Sequence, residues 1–386
     1  MSPPEHGTQL DRAQLACWHL DRRLPGATAW NVARLLAVPG AATADAAAAL
    51  AAAVDRRPEL AVACSTDGSR PRIRRAAPLH VRALGARPHP RLLAELADEP
   101  FDLSTGPLLR AVVFDGAVLL VASALVADAD SLGVLCDDVH ITLTGGRLAP
   151  VEVAAADEPG PLLPLVIDLA AATPPRHSHA GRRFSRRLAA EQLSAADALA
   201  DRLGTARANV LLAAYASLVH QLTGVEGVHL DVVTRRAEVG SAVGPHSPAL
   251  PMRLDFANAR SLLEVVSVIS GLRSGWSDCQ GLPSPERTDV PPLDSSGLHA
   301  IFEDGDDGLP GTPVLCGRTS ARSDIALIAL PDGVCWEHGR SVTAAAADEI
   351  ADEFERILIA ALRQPEDLLA GSRPRLLAGY DRADGR

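Results

Sequence analysis

Residues 121–136 read Val121-Ala122-Ser123-Ala124-Leu125-Val126-Ala127-Asp128-Ala129-Asp130-Ser131-Leu132-Gly133-Val134-Leu135-Cys136. The first seven positions close an apolar run that begins at Ala117. Two acids and a serine then break the run. Leu132, Leu135 and Cys136 follow at helical spacing. This order predicts a buried strand over 118–123 that gives way to a helix over 130–143, ended by Gly145-Gly146. A turn between two buried elements presents side chains at the edge of a cleft, a favourable place for an active site. Asp128 and Asp130 read as an N-cap and a charge favoured by the helix dipole. A catalytic carboxylate pair is the sharper alternative.

Working outward, residues 108–114 predict the partner strand, joined to 118–123 at Asp115-Gly116. Before them come a short helix over 10–20, a strand over 33–38 and an alanine-rich helix over 41–54 with Thr43 as its cap. Paired strands over 60–64 and 72–75, a helix over 90–97 and a loop over 101–107 complete the first half. Residues 149–181 hold six prolines and read as a linker. Beyond it the pattern predicts a strand over 182–188 and helices over 194–203 and 209–222. A strand over 228–234 and a helix over 261–271 follow. Residues 280–312, rich in Pro, Gly, Asp and Ser, read mostly as loop. A hairpin turns at Pro331-Asp332-Gly333. The clearest helix spans 343–362, where Ile350, Phe354, Ile357, Leu358 and Ala361 recur at three- and four-residue steps.

The 386 residues suffice for two domains. At 47% hydrophobic and 22% charged, the composition is that of a globular protein with a large core. All 37 basic residues are arginine, a codon signature of GC-rich genomes, so a lysine Schiff base is excluded. Against 48 acids the net charge is −11, which argues against broad nucleic-acid binding. The six cysteines lie far apart without a C-x-x-C pair and read as small buried residues rather than a zinc site. No phosphate loop or dinucleotide fingerprint occurs. The polar start lacks a signal region, and the run over 117–127 is too short to span a bilayer, so a cytoplasmic location without membrane attachment is expected.

In this frame residues 123–129, Ser-Ala-Leu-Val-Ala-Asp-Ala, resemble the His-His-x-x-x-Asp-Gly segment of nonribosomal peptide synthetase condensation domains. Further segments match that family in order. Ala13 to Leu20 resembles its opening motif, and Pro25 to Val32 the loop after it. Arg56-Arg57-Pro58-Glu59-Leu60 resembles Arg-His-Glu-x-Leu-Arg without the His and second Arg. Phe101 to Arg110 resembles the segment before the active-site strand. Val243 to Pro251 resembles Val-Gly-x-Phe-Val-Asn-Thr-Leu-Pro, with His246, Ser247, Pro248 and Ala249 at the changed positions. The chain thus resembles a degenerate member of the superfamily, of the kind called X or interface domains.

The resemblance implies an α/β (α+β sandwich) fold: two chloramphenicol-acetyltransferase-like lobes arranged as a V-shaped pseudo-dimer, here 1–148 and 182–386, with 149–181 between them. It implies a tunnel for the phosphopantetheine arms of carrier proteins, with no cofactor or metal held by the chain itself. In the family the second histidine handles the proton of the attacking amine, and position 124 here is alanine. The family aspartate, Asp128 here, mostly holds its loop through an ion pair with an arginine.

Ser123 as a nucleophile lacks a G-x-S-x-G elbow and reads better as a small strand residue. His246 sits on a loop that the family places beside the tunnel, and would bring an imidazole from the second lobe; a solvated loop histidine is the plainer reading. His177 and His179 lie near the linker's end as a weak two-ligand pattern. The functional expectation is a non-catalytic protein of nonribosomal peptide or hybrid polyketide biosynthesis. It would dock a peptidyl or acyl carrier protein, recruit a cytochrome P450 or other tailoring oxygenase, or do both. The alternative is a free-standing acyl or aminoacyl transferase with displaced catalytic residues.

Overall fold

The computed structural model describes residues 8–10, 14, 17–18, 21–22, 26–67, 70–75, 79, 81–151, 179–233, 242–245, 249–257, 261–276, 298–305 and 310–367. The first half of the chain carries β1 (Thr8–Gln9), β2 (Asn31–Ala37), α1 (Thr43–Asp55), β3 (Val62–Asp67), β4 (Arg70–Arg75), β5 (Val81–Ala83), α2 (Pro90–Ala97), β6 (Leu109–Phe114), β7 (Ala117–Ser123) and α3 (Ala129–Leu143). The second half carries β8 (Gly181–Arg187), α4 (Ala190–Leu203), α5 (Arg207–Thr223), β9 (Gly227–Val233), β10 (Ala249–Asp255), α6 (Leu262–Trp276), β11 (Ala300–Asp304), β12 (Thr312–Pro313), β13 (Ile325–Leu330), β14 (Gly333–Gly339) and α7 (Ala344–Arg363). Mixed sheets are covered by helices, so the fold is α/β as the sequence predicts.

Two hydrophobic cores form, one per half. In the first, β7 pairs antiparallel with both β2 and β6, and α3 packs on β2 and α1. Six of the seven β7 residues are buried, as a central strand requires. In the second, a six-stranded sheet runs β10-β9-β11-β13-β14-β8. Helix α5 lies across β9, β11 and β13 and packs on α4, α6 and α7, which buries every residue from Ala208 to Val219. A helix enclosed on all sides has no polar face, and this one is apolar nearly throughout.

The halves are interwoven. Strand β12 lies late in the chain yet pairs with β2 in the first sheet, Thr312 opposite Leu35 and Pro313 opposite Arg34. Arg34, itself buried, donates from Nη1 to the Pro310 carbonyl at 3.0 Å. The order of the first sheet is therefore β12-β2-β7-β6-β5.

Some local expectations are corrected. Residues 300–304, expected as loop, form the central strand β11, parallel to both β9 and β13. Thr43 is the first helical residue of α1 and Ala42 is its cap, without a side-chain bond. Cys316 is exposed, unlike the buried Cys64, Cys136 and Cys335. The linker over 152–178, most of the helix over 10–20, His177, His246 and Cys279 lie outside the described residues.

Candidate functional site

The segment 123–128 is a tight turn between β7 and α3. Ser123 closes β7 opposite Asn31 of β2. Its amide donates to the Leu108 carbonyl at 2.9 Å, and the Ala124 amide donates to the Trp30 carbonyl at 3.0 Å. The amides of Val126 and Ala127 then donate back to the Ser123 carbonyl at 3.0 and 3.3 Å. The Leu125 amide donates to Ser123 Oγ at 3.3 Å. The Cys17 thiol, from the opening motif, donates to the Ala124 carbonyl at 3.6 Å. Leu125, Val126 and Ala127 are buried, while Ser123 and Ala124 are only partly buried. The backbone that would present a catalytic side chain at 124 is thus fully hydrogen-bonded, and the side chain presented is a methyl group.

Asp128 caps α3. Its Oδ1 accepts from the Ser131 amide at 2.8 Å and from Ser131 Oγ at 2.7 Å. Such a cap satisfies one of the orphan amides at the helix start. Ser131 also reaches the other half: it lies 2.9 Å from the Gly244 carbonyl and accepts from the Gly244 amide at 3.0 Å. One hydroxyl proton serves either Asp128 or Gly244 at a time, whereas its lone pairs hold the Gly244 amide throughout. The motif of the first half and the Val243-Gly244 motif of the second are therefore pinned at one buried hydroxyl. Asp130 occupies the first turn of α3, where the dipole favours a carboxylate.

Further along α3, Asp138 pairs with the buried Arg57 and, at 3.5 Å, with Arg56. This ties the Arg56-Arg57-Pro58 segment under the motif helix.

A larger ionic layer joins the halves. Arg318 donates from Nε to Asp98 Oδ1 at 2.8 Å, from Nη1 to the Asn31 carbonyl at 2.7 Å and from Nη2 to the Thr28 carbonyl at 2.6 Å. Asp98 also accepts from the Thr319 amide at 2.6 Å and from Ser320 Oγ at 3.0 Å. Burial pushes the Asp98 carboxyl up, but Arg318 and these donors hold it below its ordinary value. Behind it, Glu337 is fully buried between Arg183 at 2.9 Å and Arg322 at 3.3 Å. Its carboxyl is pushed up by burial and held down by those two guanidiniums. Arg183 also donates to the Ala29 carbonyl at 3.3 Å. Asn31, next to the motif turn, donates to the carbonyls of Ala97 and Glu99, both at 2.9 Å.

The Phe101 to Arg110 segment, matched at the sequence level, lines a cleft of about 360 Å³ with Arg82, Leu96 and Val121. Arg110 stacks 3.9 Å above the Phe101 ring and donates to the Pro100 carbonyl at 2.9 Å. Among the described residues no cluster of His, Cys, Asp or Glu is suited to a metal ion, and no helix is long and apolar enough to cross a membrane.

Of the sequence-level candidates, Ser123, Ala124, Asp128 and Asp130 gather at one turn, and His246 lies outside the described residues. Sequence reasoning missed Ser131, whose only signal was its place three residues after a cap, and Arg318, Asp98 and Glu337, which carry no local signal at all.

This architecture defines the class: the chain has the condensation-domain fold. The first condensation domain of the calcium-dependent antibiotic synthetase, solved with a substrate analogue, superposes with a TM-score of 0.74 at 17% identity, covering 95% of this chain and 98% of that one. Within that class the neighbours include the X-domain from teicoplanin biosynthesis, with a TM-score of 0.70 at 18% identity, covering 96% of this chain and 98% of that one. In sequence, the phosphinothricin tripeptide synthetase PhsC of Streptomyces viridochromogenes is 30% identical over 300 residues, 64% of this chain. The chain spans about a quarter of that relative's length, 27%. No family model matches the chain.

Proposed function

We propose that this chain is a condensation-like protein of nonribosomal peptide biosynthesis that docks a carrier protein, recruits a tailoring oxygenase, or does both, without performing condensation itself. The observation that carries the reading is the intact turn at 123–128. Its backbone is held by β2 and the residue before it, by Leu108 just ahead of β6 and by the Asp128 cap, yet position 124 offers a methyl group. A methyl exchanges no proton. Loss of a positioned base removes roughly 10²–10⁴-fold of rate. The Ser123 hydroxyl, facing the Leu125 amide, has no imidazole or carboxylate to activate it among its described hydrogen-bond partners. The scaffold has been kept where the proton chemistry has not, which is what a docking role selects for.

The likeness to an X-domain and to a tripeptide synthetase supports carrier proteins of such a synthetase as the partners. A phosphopantetheine arm is then a guest of the cleft and not a resident cofactor. The test mixes the purified chain with carrier proteins and oxygenases from its biosynthetic neighbourhood and measures binding by calorimetry. Saturable micromolar binding is expected for at least one. Affinities no tighter than millimolar for all of them would overturn the reading.

A further inference from the structure

Residues 68–94 hold seven arginines and no Asp or Glu, in a chain whose acids outnumber its bases 48 to 37. The other 30 arginines share the rest of the sequence with all 48 acids. There, arginines find carboxylates: Arg57 pairs with Asp138, Arg183 with Glu337, Arg207 with Asp197 and Arg318 with Asp98. In the basic run Arg91 pairs with Glu95 of its own helix. Arg74, Arg75, Arg82 and Arg87 are exposed, and among the described residues no carboxylate pairs with them. Where acids are in excess, a group of guanidiniums without one marks a surface from which acids are absent.

The fold brings part of this run to the cleft beside Phe101. Arg82 of β5 is the register partner of Val112, so it shares a sheet face with Val112 and Arg110, and all three line the cleft. Across the cleft wall formed by Asp102, Gly106 and Pro107, Arg74 of β4 donates from Nη2 to the Ser104 carbonyl at 2.5 Å. Arg75 follows it and closes β4. The acids of the cleft are engaged locally. Asp102 accepts from the Ser104 amide at 2.8 Å, from Ser104 Oγ at 2.6 Å and from Thr105 Oγ1 at 2.8 Å. Glu99 lies 3.8 Å from Arg110. Strand β5 is the outermost of its sheet, so no further strand covers this edge. Arg74, Arg75 and Arg82 are left as an uncompensated positive face next to an apolar floor of Leu96, Val112 and Val121.

We propose that this face docks a protein partner through a cluster of carboxylates on that partner. The inference rests on the docking reading and says where the partner sits. A nucleic acid fits less well. A long polyanion would run beyond the patch onto a surface where acids prevail. The aromatic ring in the cleft, Phe101, is already covered by Arg110 at 3.9 Å and offers no stacking platform. A partner's acidic face is finite and matches a finite patch. Charges of this kind act chiefly on the rate of association and on its salt dependence.

The experiment titrates the full chain against fluorescein-labelled decaglutamate and follows anisotropy, in low salt and again at physiological ionic strength. Submillimolar binding in low salt, weakened by added salt, is expected. Combining Arg74→Gln, Arg75→Gln and Arg82→Gln should weaken it at least about fivefold. Arg182→Gln, Arg340→Gln and Arg363→Gln together, three exposed arginines of the second half, should leave it unchanged. Should the first triple variant melt early, Arg82→Glu alone carries the same test, with binding at least about twofold weaker. Equal weakening by both triple variants, no effect of the first, or tighter binding of a short DNA duplex than of the peptide overturns the proposal. The partner found by calorimetry is then titrated against the first triple variant, where several-fold weaker binding is expected. Unchanged affinity there overturns this proposal and leaves the docking reading standing. Peptide binding at the patch with no partner binding to the unaltered chain overturns the docking reading and, with it, the protein occupant.

Discussion

Arg318 Nε donates to Asp98 Oδ1 at 2.8 Å across 220 positions of sequence, and the rest of the guanidinium is spent on the carbonyls of Thr28 and Asn31. One side chain from the second half of the chain thereby fixes the end of α2, the loop before β2 and the first residue of β2. That residue, Asn31, is the ladder partner of Ser123. The motif turn is held from the far half of the chain as much as from its own.

Removing one partner of this buried pair strands the other. Arg318→Met is expected to cost about 3–5 kcal/mol in denaturant unfolding. Asp98→Asn should cost less, because the amide oxygen keeps an acceptor for Thr319 and Ser320. A loss under about 1 kcal/mol for Arg318→Met would mean that the halves do not depend on this contact.

Asp98 and Glu337 both have carboxyls held below their ordinary values in the folded chain. Each therefore contributes stability that is fully present above the ordinary carboxylate range, at about pH 5 and higher. That contribution is lost as pH falls through the lowered folded-state values. Thermal melts should be flat from pH 7 to 5 and fall below about pH 4. In Glu337→Gln and Asp98→Asn the acid-side slope should be shallower. Unchanged slopes in both variants would contradict the assignment.

Ser131→Ala removes the acceptor for the buried Gly244 amide along with the hydroxyl contact to Asp128. A loss of about 1–3 kcal/mol is expected. Asp128→Ala loses a cap, at about 1 kcal/mol. Because both variants act through the same hydroxyl, their effects should be less than additive in a double-mutant cycle. Hydrogen exchange at the Val243 and Gly244 amides should rise in Ser131→Ala. Full additivity with no change in exchange would remove Ser131 as the pin.

The cysteines should separate sharply under alkylation of the native chain. Cys316, near 6, should react with iodoacetamide at a rate that already levels off by pH 7. Cys136, near 12 and buried, should stay unlabelled until the chain unfolds. Labelling in the reverse order would contradict the opposite directions of these two thiols.

Long regular elements were readable from sequence. Helix α7 was expected over 343–362 and spans 344–363, with Thr343 as its cap, because its apolar stripe is unbroken. The β7-to-α3 transition was readable for the same reason: an apolar run, a capping acid and a helical period stand side by side. Strand β11 was not. Only its first three residues, Ala300 to Phe302, are apolar, amid Pro, Gly and Asp, and its central position comes from β9 and β13 on either side. Strand β12 has two residues and exists only through its pairing with β2. At the site, Ser123, Ala124 and Asp128 were legible because they are contiguous. Arg318, Asp98 and Glu337 were not, because buried ion pairs between distant segments leave no periodic trace. Cys316 was read as an ordinary buried cysteine, since nothing near it in sequence shows that β8 and β14 bring Ser185 and Cys335 beneath it.

The most direct measurement loads one carrier protein of the pathway with an acyl group and a second with an amino acid, and adds the chain to both. Binding by calorimetry is read beside amide formation by mass spectrometry. The account predicts saturable binding of at least one carrier with no amide product above the rate without protein. Amide formation at the rates of a histidine-bearing condensation domain, or no binding to any carrier, would contradict it.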